Sequence, residues 1–169
     1  MKLYDLRTEY RVNPVGLENR KPRFSWKMYS AEKNTMQTSY KINVIDENGN
    51  QVWNSGKRLS QNSVLISYDG EKLESETYYT VLVSVTDNHG NTAEIEGTFE
   101  TGIFDNTQFS AQMITGSFPT EETACPVFGK RFSVKKKVKK ARLYATAHGV
   151  YEVTLNGQTV GDYRMAPGW

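Results

Sequence analysis

Apolar residues recur at every second position through most of this chain and almost nowhere at helical spacing. Phe24, Trp26 and Met28 alternate with Ser25 and Lys27, and Tyr40, Ile42 and Val44 alternate with Lys41 and Asn43. Val64, Ile66 and Tyr68 continue the pattern, and Tyr79, Val81, Val83 and Val85 state it most clearly. Successive side chains on a pleated strand point to opposite faces, so each set lines one face that a second sheet must cover. Turn-forming clusters separate the runs: Glu47-Asn48-Gly49-Asn50, Asp69-Gly70, Asn88-His89-Gly90-Asn91 and Asn156-Gly157.

The pattern predicts an all-β chain. Strands are expected near 3–10, 23–29, 37–46, 51–54, 63–68, 77–87 and 93–101, which is the strand density of a fibronectin type III/immunoglobulin-like sandwich over residues 1–102. Trp26, on the second strand, is the expected buried indole. Leu73 stands six residues before Tyr79 at the start of the longest strand, the arrangement of a tyrosine corner in which the ring packs inward and the hydroxyl bonds backbone. Past a hinge at Phe99-Glu100-Thr101-Gly102-Ile103-Phe104, alternation resumes at 109–114, 127–134, 143–147, 151–155 and 158–161, with Asn156-Gly157 as a hairpin turn. That is too few strands for two full sheets. Residues 103–169 are therefore expected to be the N-terminal part of a truncated, incomplete jelly-roll-like β-sandwich.

Composition narrows the function classes. The aromatic complement of 10 Tyr, 7 Phe and 3 Trp is enough to anchor a core. The net charge of +2 gives no field for nucleic acid or a membrane surface, although residues 1–102 carry 12 Lys+Arg against 14 Asp+Glu while 103–169 carry 9 against 5. No apolar run approaches the roughly 20 residues of a membrane span. The first residues lack the apolar segment of a secretory signal, and Cys125 is the single cysteine, so a reducing, cytoplasmic setting is expected, with Cys125 as a small hydrophobe near a loop. His89 and His148 have no metal-ligand spacing. Lys135-Lys136-Lys137-Val138-Lys139-Lys140 lacks interleaved aromatics and reads as a solvated connection between strands rather than a nucleic-acid site. Glu121-Glu122 in a loop and Glu94, Glu96 and Glu100 on the polar face of a strand read as solvent-exposed, which leaves no general acid; no catalytic residue is expected.

The run from Ala141 through His148-Gly149-Val150-Tyr151-Glu152 and Leu155-Asn156-Gly157 to Val160-Gly161-Asp162, closing on Ala166-Pro167-Gly168-Trp169, resembles the N-terminal β-sandwich domain of bacterial α-L-rhamnosidases. Pro22-Arg23-Phe24-Ser25-Trp26, Gln37-Thr38-Ser39-Tyr40-Lys41-Ile42, Trp53-Asn54-Ser55-Gly56 and Phe99-Glu100-Thr101-Gly102 resemble the fibronectin-like module before it. Phe109 and Met113 stand where the family usually carries Trp, swaps a core tolerates.

The resemblance implies a parent enzyme that hydrolyses terminal α-L-rhamnosyl groups with inversion, using two carboxylates on a downstream (α/α)6 barrel. This chain would be its non-catalytic N-terminal fragment, packing on that barrel and flanking the sugar site, with rhamnose-containing glycosides reached through the parent. The alternative is a stand-alone carbohydrate-binding or protein-interaction module. No cofactor is expected except calcium, which assists rhamnose binding in some relatives. Asp162 and Asn156 are the oxygen donors that would serve there, although Asn156 already has a role in the hairpin turn. Tyr163 and Trp169 would stack on a sugar or, the favoured reading, belong to core.

Overall fold

In the computed structural model, residues 1–117, 125–162 and 165–167 are described, and they fall into two compact units, 1–110 and 111–169. The first contains eight strands: β1 (Lys2–Thr8), β2 (Arg23–Tyr29), β3 (Gln37–Asp46), β4 (Gln51–Asn54), β5 (Arg58–Leu59), β6 (Ile66–Ser67), β7 (Tyr78–Asp87) and β8 (Thr92–Glu100). One sheet runs β1-β2-β6. The other runs β4-β3-β7-β8, with β5 also paired to β3, and every pairing within the two sheets is antiparallel. Between them lies one core, with Leu3, Leu6, Phe24 and Trp26 from the first sheet facing Ile42, Val44, Val81, Val83, Val85 and Phe99 from the second. The alternating positions thus cover each other, and the polar positions between them face outward.

Local departures from strict alternation have local causes. Leu3 and Leu6 are both buried three positions apart, because Asp5 adopts φ 53° and the β1–β2 register shifts between Tyr4 and Arg7. A bulge of this kind turns an odd spacing into one face. The expected strand 63–68 shrinks to β6, because Leu65 at φ 53° breaks the ladder and Val64 faces solvent. β5 is two exposed residues with no alternation to announce them. Ser55, in Trp53-Asn54-Ser55-Gly56, bridges the gap between β4 and β5: its hydroxyl accepts from the Ile42 N–H at 2.8 Å and donates to the Gly56 carbonyl at 2.8 Å.

Two turns repeat one device. Asp46-Glu47-Asn48-Gly49-Asn50 closes β3–β4, and Asp87-Asn88-His89-Gly90-Asn91 closes β7–β8. In each the aspartate accepts backbone N–H groups two and four residues on, at 2.8–2.9 Å, and the side-chain amide of the final Asn. Gly49 and Gly90 sit at φ 88° and 83°, where a β-carbon would be strained. The edge of β8 is covered in part: Asn13 accepts from the Thr98 N–H, and Pro14 from the Glu100 N–H. Glu100, expected on the exposed face, is instead 1% exposed, because segment 14–17 crosses the end of the strand and Leu17 donates to its carbonyl.

Residues 111–169 behave differently. Their described strands are β9 (Thr154–Leu155) and β10 (Gln158–Thr159), a hairpin turning through Asn156 at φ 51° and Gly157 at φ 79°. Tyr151 bridges to Ala166. The expected strands at 109–114, 127–134 and 143–147 are not formed: Val127 is 96% exposed, and Ile114, Phe128, Phe132 and Leu143 also face solvent. A strand needs a neighbour for its backbone groups and a facing sheet for its apolar side, and the described residues supply neither. Met113 is exposed and Phe109 half-buried, so neither fills the core place read for it.

Candidate functional site

The largest buried side chains carry polar ends, and these ends organise the first unit. The Trp26 indole N–H donates to Gln37 Oε1 at 3.0 Å, and the Gln37 amide in turn donates to the carbonyls of Ser60 and Asn62. Trp26 also meets Tyr40 edge-on, ring centroids 5.4 Å apart. The motif beginning at Gln37 therefore clamps the indole and pins the loop after β5. At the opposite corner Leu73 is fully buried, the Tyr79 hydroxyl accepts from the Glu74 N–H at 2.9 Å, and its ring stacks on Phe99 at 5.1 Å. Burial pushes the Tyr79 phenol up, so it stays neutral. Thr101 completes the corner: its hydroxyl donates to the Glu74 carbonyl and accepts from the Thr77 N–H. Gly102 lies against Gly16, where an added β-carbon would meet backbone oxygen at 3.2 Å. Sequence reading pointed to Trp26, Leu73 and Tyr79 but missed the roles of Gln37 and Thr101, whose polar side chains carry no periodic signal of burial.

Among the described residues the carboxylates with shifted titration are each held by hydrogen-bond donors. Hydrogen bonds from Lys27 and then Arg7 hold Asp5 below its usual range. Partial burial pulls Glu9 upward, but the Arg23 guanidinium at 2.6 Å more than offsets it. Asp46 is lowered by the Asn50 side chain, and in Asp87 the bonds from Asn91 and His89 overcome desolvation. A general acid needs a raised pKa, so each of these groups is suited to staying ionised and structural. Glu94 and Glu96 are exposed on β8.

An open depression of about 460 Å³ lies where the chain passes between the two sheets, lined by Arg20, Lys21, Tyr68, Gly70, Glu71 and Lys72. The segment that floors it is tied to both neighbours: Tyr68 N–H donates to the Pro22 carbonyl, and Glu71 N–H to that of Val52. The Tyr68 hydroxyl lies 2.7 Å from the Glu71 carbonyl, and burial pushes its phenol up. Gly70 is packed so closely that a β-carbon would meet Val52 O and Trp53 Cβ at 2.5 Å. Arg20 is held over the Phe104 ring at 4.4 Å and donates to the Phe104 carbonyl.

In the second unit Asn156 and Asp162 are both exposed, and Asn156 occupies the left-handed hairpin position. Calcium takes about 6–8 oxygens. Among the described residues no group of three or more His, Cys, Asp or Glu is placed to hold a metal ion, and these two side chains do not by themselves make such a cage. Cys125 is exposed rather than packed, and Lys135–Lys140 all face solvent. Glu121, Glu122, Tyr163 and Trp169 lie outside the described residues.

Comparison with known proteins adds a lineage to this geometry. The family model described as the Rha78A-like, N-terminal immunoglobulin domain matches residues 3–105, and that of the alpha-L-rhamnosidase N-terminal domain matches 136–169. An alpha-L-rhamnosidase of Formosa agariphila is 32% identical over 177 aligned residues, covering 93% of this chain and 19% of that protein. The crystal structure of Streptomyces avermitilis alpha-L-rhamnosidase complexed with L-rhamnose is similar at 34% identity and TM-score 0.61, over 65% of this chain and 11% of that one. A native alpha-L-rhamnosidase from Aspergillus terreus shares the fold at TM-score 0.76 and 23% identity, over 99% of this chain and 20% of that one. The chain spans about a fifth of the length of the curated relatives it matches.

Proposed function

This chain belongs to the Rha78A-like family through its N-terminal immunoglobulin domain, and on that footing we propose that it is the non-catalytic N-terminal region of an enzyme that removes terminal α-L-rhamnose from glycosides. The observation that carries the reading is the order of the two family matches: an immunoglobulin domain at 3–105 followed by the start of a rhamnosidase N-terminal domain at 136–169. The site chemistry supports it. The large buried polar groups of the first unit serve the fold, and the carboxylates with shifted titration are held ionised by N–H donors rather than poised to give up a proton.

In this reading the chain has a scaffolding or sugar-site-flanking role, and its partner is a catalytic domain of the same polypeptide. The test uses p-nitrophenyl α-L-rhamnopyranoside. The 169-residue chain is expected to release no p-nitrophenol above the buffer rate, and the product of the complete gene is expected to turn it over. Turnover by the 169-residue chain, or a complete product inert toward α-L-rhamnosides, contradicts the proposal.

A further inference from the structure

The chain holds two Asn-Gly pairs, Asn48-Gly49 and Asn156-Gly157, and each closes a hairpin, yet the two are built differently. Asn-Gly carries a chemistry of its own. The backbone nitrogen after an asparagine can attack that residue's side-chain carbonyl carbon, and a glycine there, with no β-carbon, leaves the approach open. Two conditions decide whether a folded chain allows it. The glycine N–H must be uncommitted, and the local backbone must open far enough to bring the nitrogen to the carbonyl.

At Asn48 neither condition is met. The Gly49 N–H donates to the Asp46 carbonyl at 3.1 Å, and the Asp46 N–H to the Asn50 carbonyl at 2.9 Å. The Asp46 carboxylate accepts from the Asn48 and Asn50 N–H groups at 2.9 and 2.8 Å, and from the Asn50 side-chain amide at 2.9 Å. The turn leaves β3, the strand that carries Ile42 and Val44 into the core, so opening it works against the whole sheet. At Asn156 both conditions are met. Among the described residues the Gly157 N–H has no hydrogen-bond partner. β9 and β10 hold two exposed residues each and gain no third strand, and one backbone bond, from the Val160 N–H to the Val153 carbonyl at 2.8 Å, extends them. A lone hairpin of that length is marginal in water, so it opens at little cost.

We propose that Asn156 is a modification site, converting without an enzyme to aspartate and isoaspartate, while the turn around Asn48 preserves its own Asn-Gly pair; this is independent of the rhamnosidase reading. The Gly157 nitrogen bonds to the Asn156 side-chain carbonyl carbon and gives up its proton, and the side-chain nitrogen takes a proton and leaves as ammonia. The resulting succinimide takes up one water. Opening at the side-chain carbonyl gives aspartate, and opening at the backbone carbonyl gives isoaspartate. Each product replaces a neutral amide with a carboxylate. Isoaspartate also inserts a methylene into the backbone of a two-residue turn, which removes the register of β9 and β10.

The test incubates the 169-residue chain at neutral pH and 37 °C and follows its tryptic peptides by mass spectrometry, with isoaspartate counted by enzymatic methylation. Asn156 is expected to be lost about tenfold faster than Asn48, or more. In urea at a concentration that unfolds the first unit, the two rates are expected to converge, because the shared Asn-Gly chemistry then acts alone. Asp46→Ala is expected to raise the Asn48 rate several-fold and leave that of Asn156 unchanged, with unshifted β7 amides showing that the sheet persists. Equal native rates, a native Asn156 rate far below its rate in urea, a gap that survives unfolding, or an Asn48 rate indifferent to Asp46→Ala would each overturn the proposal.

Discussion

Residues 1–110 and 111–169 carry the same alternation of apolar and polar positions, yet among the described residues only the first unit converts it into two sheets. Val83 on β7 is fully buried, flanked in the ladder by Ile42 and Ile95 and roofed by the β1–β2 sheet. Val127, in an equally alternating run, is 96% exposed. The difference lies in the partners each run can reach. Period two says which face of a strand is apolar, and a strand forms where another sheet arrives to cover that face.

The contrast can be broken at the core. Trp26→Ala removes both the largest buried side chain and the donor that Gln37 accepts, and a loss of about 3–5 kcal/mol in urea denaturation is expected. A matched pair sharpens it. Val83→Ala is expected to cost about 2 kcal/mol, from lost burial plus the cavity left behind. Val127→Ala is expected to stay within about 0.5 kcal/mol, since it removes an exposed side chain. Equal costs for the two would mean that 111–169 has a core of its own.

Smaller effects probe the corners. Tyr79→Phe strands the Glu74 N–H and is expected to lower stability by about 1 kcal/mol by the same denaturation assay. The twin turns give a pH dependence. Asp46 and Asp87 have folded pKa values below the ordinary aspartate value of 3.8, so their stabilisation is complete above the unfolded pKa and is lost as pH falls from about 4 through the lower folded values. Stability measured between pH 6 and 2 should therefore fall on the acid side, and Asp87→Asn should flatten that fall. A variant with an unaltered acid limb would remove the turn from the account.

Much of the first unit was legible in the residues because its runs are long and its turns are marked. The ranges read for β2, β3 and β4 coincide with the strands formed, and that for β7 differs by one residue. What escaped reading is what tertiary context decides. The left-handed Asp5 and Leu65 lack the glycine that would have announced them, β5 borrows its order from β3, and Glu100 is buried by a segment more than 80 residues earlier in the chain. At the surface, Arg20 and Lys21 before β2 and Lys72 after β6 are unremarkable in sequence and line one depression because the antiparallel β2–β6 pair sets Arg23 opposite Ser67. In the second unit the Asn156-Gly157 hairpin forms because its turn is encoded locally, whereas 127–134 and 143–147 depend on strands that do not meet them here.

Amide hydrogen exchange across the whole 169-residue chain at neutral pH tests this contrast most directly. The amides of Ile42, Val44, Val81, Val83 and Val85 are expected to exchange only through global opening, while those of 127–134 and 143–147 exchange near the rate of an unstructured peptide. Protection of 127–134 equal to that of β3 and β7, in a monodisperse monomer, would contradict the account.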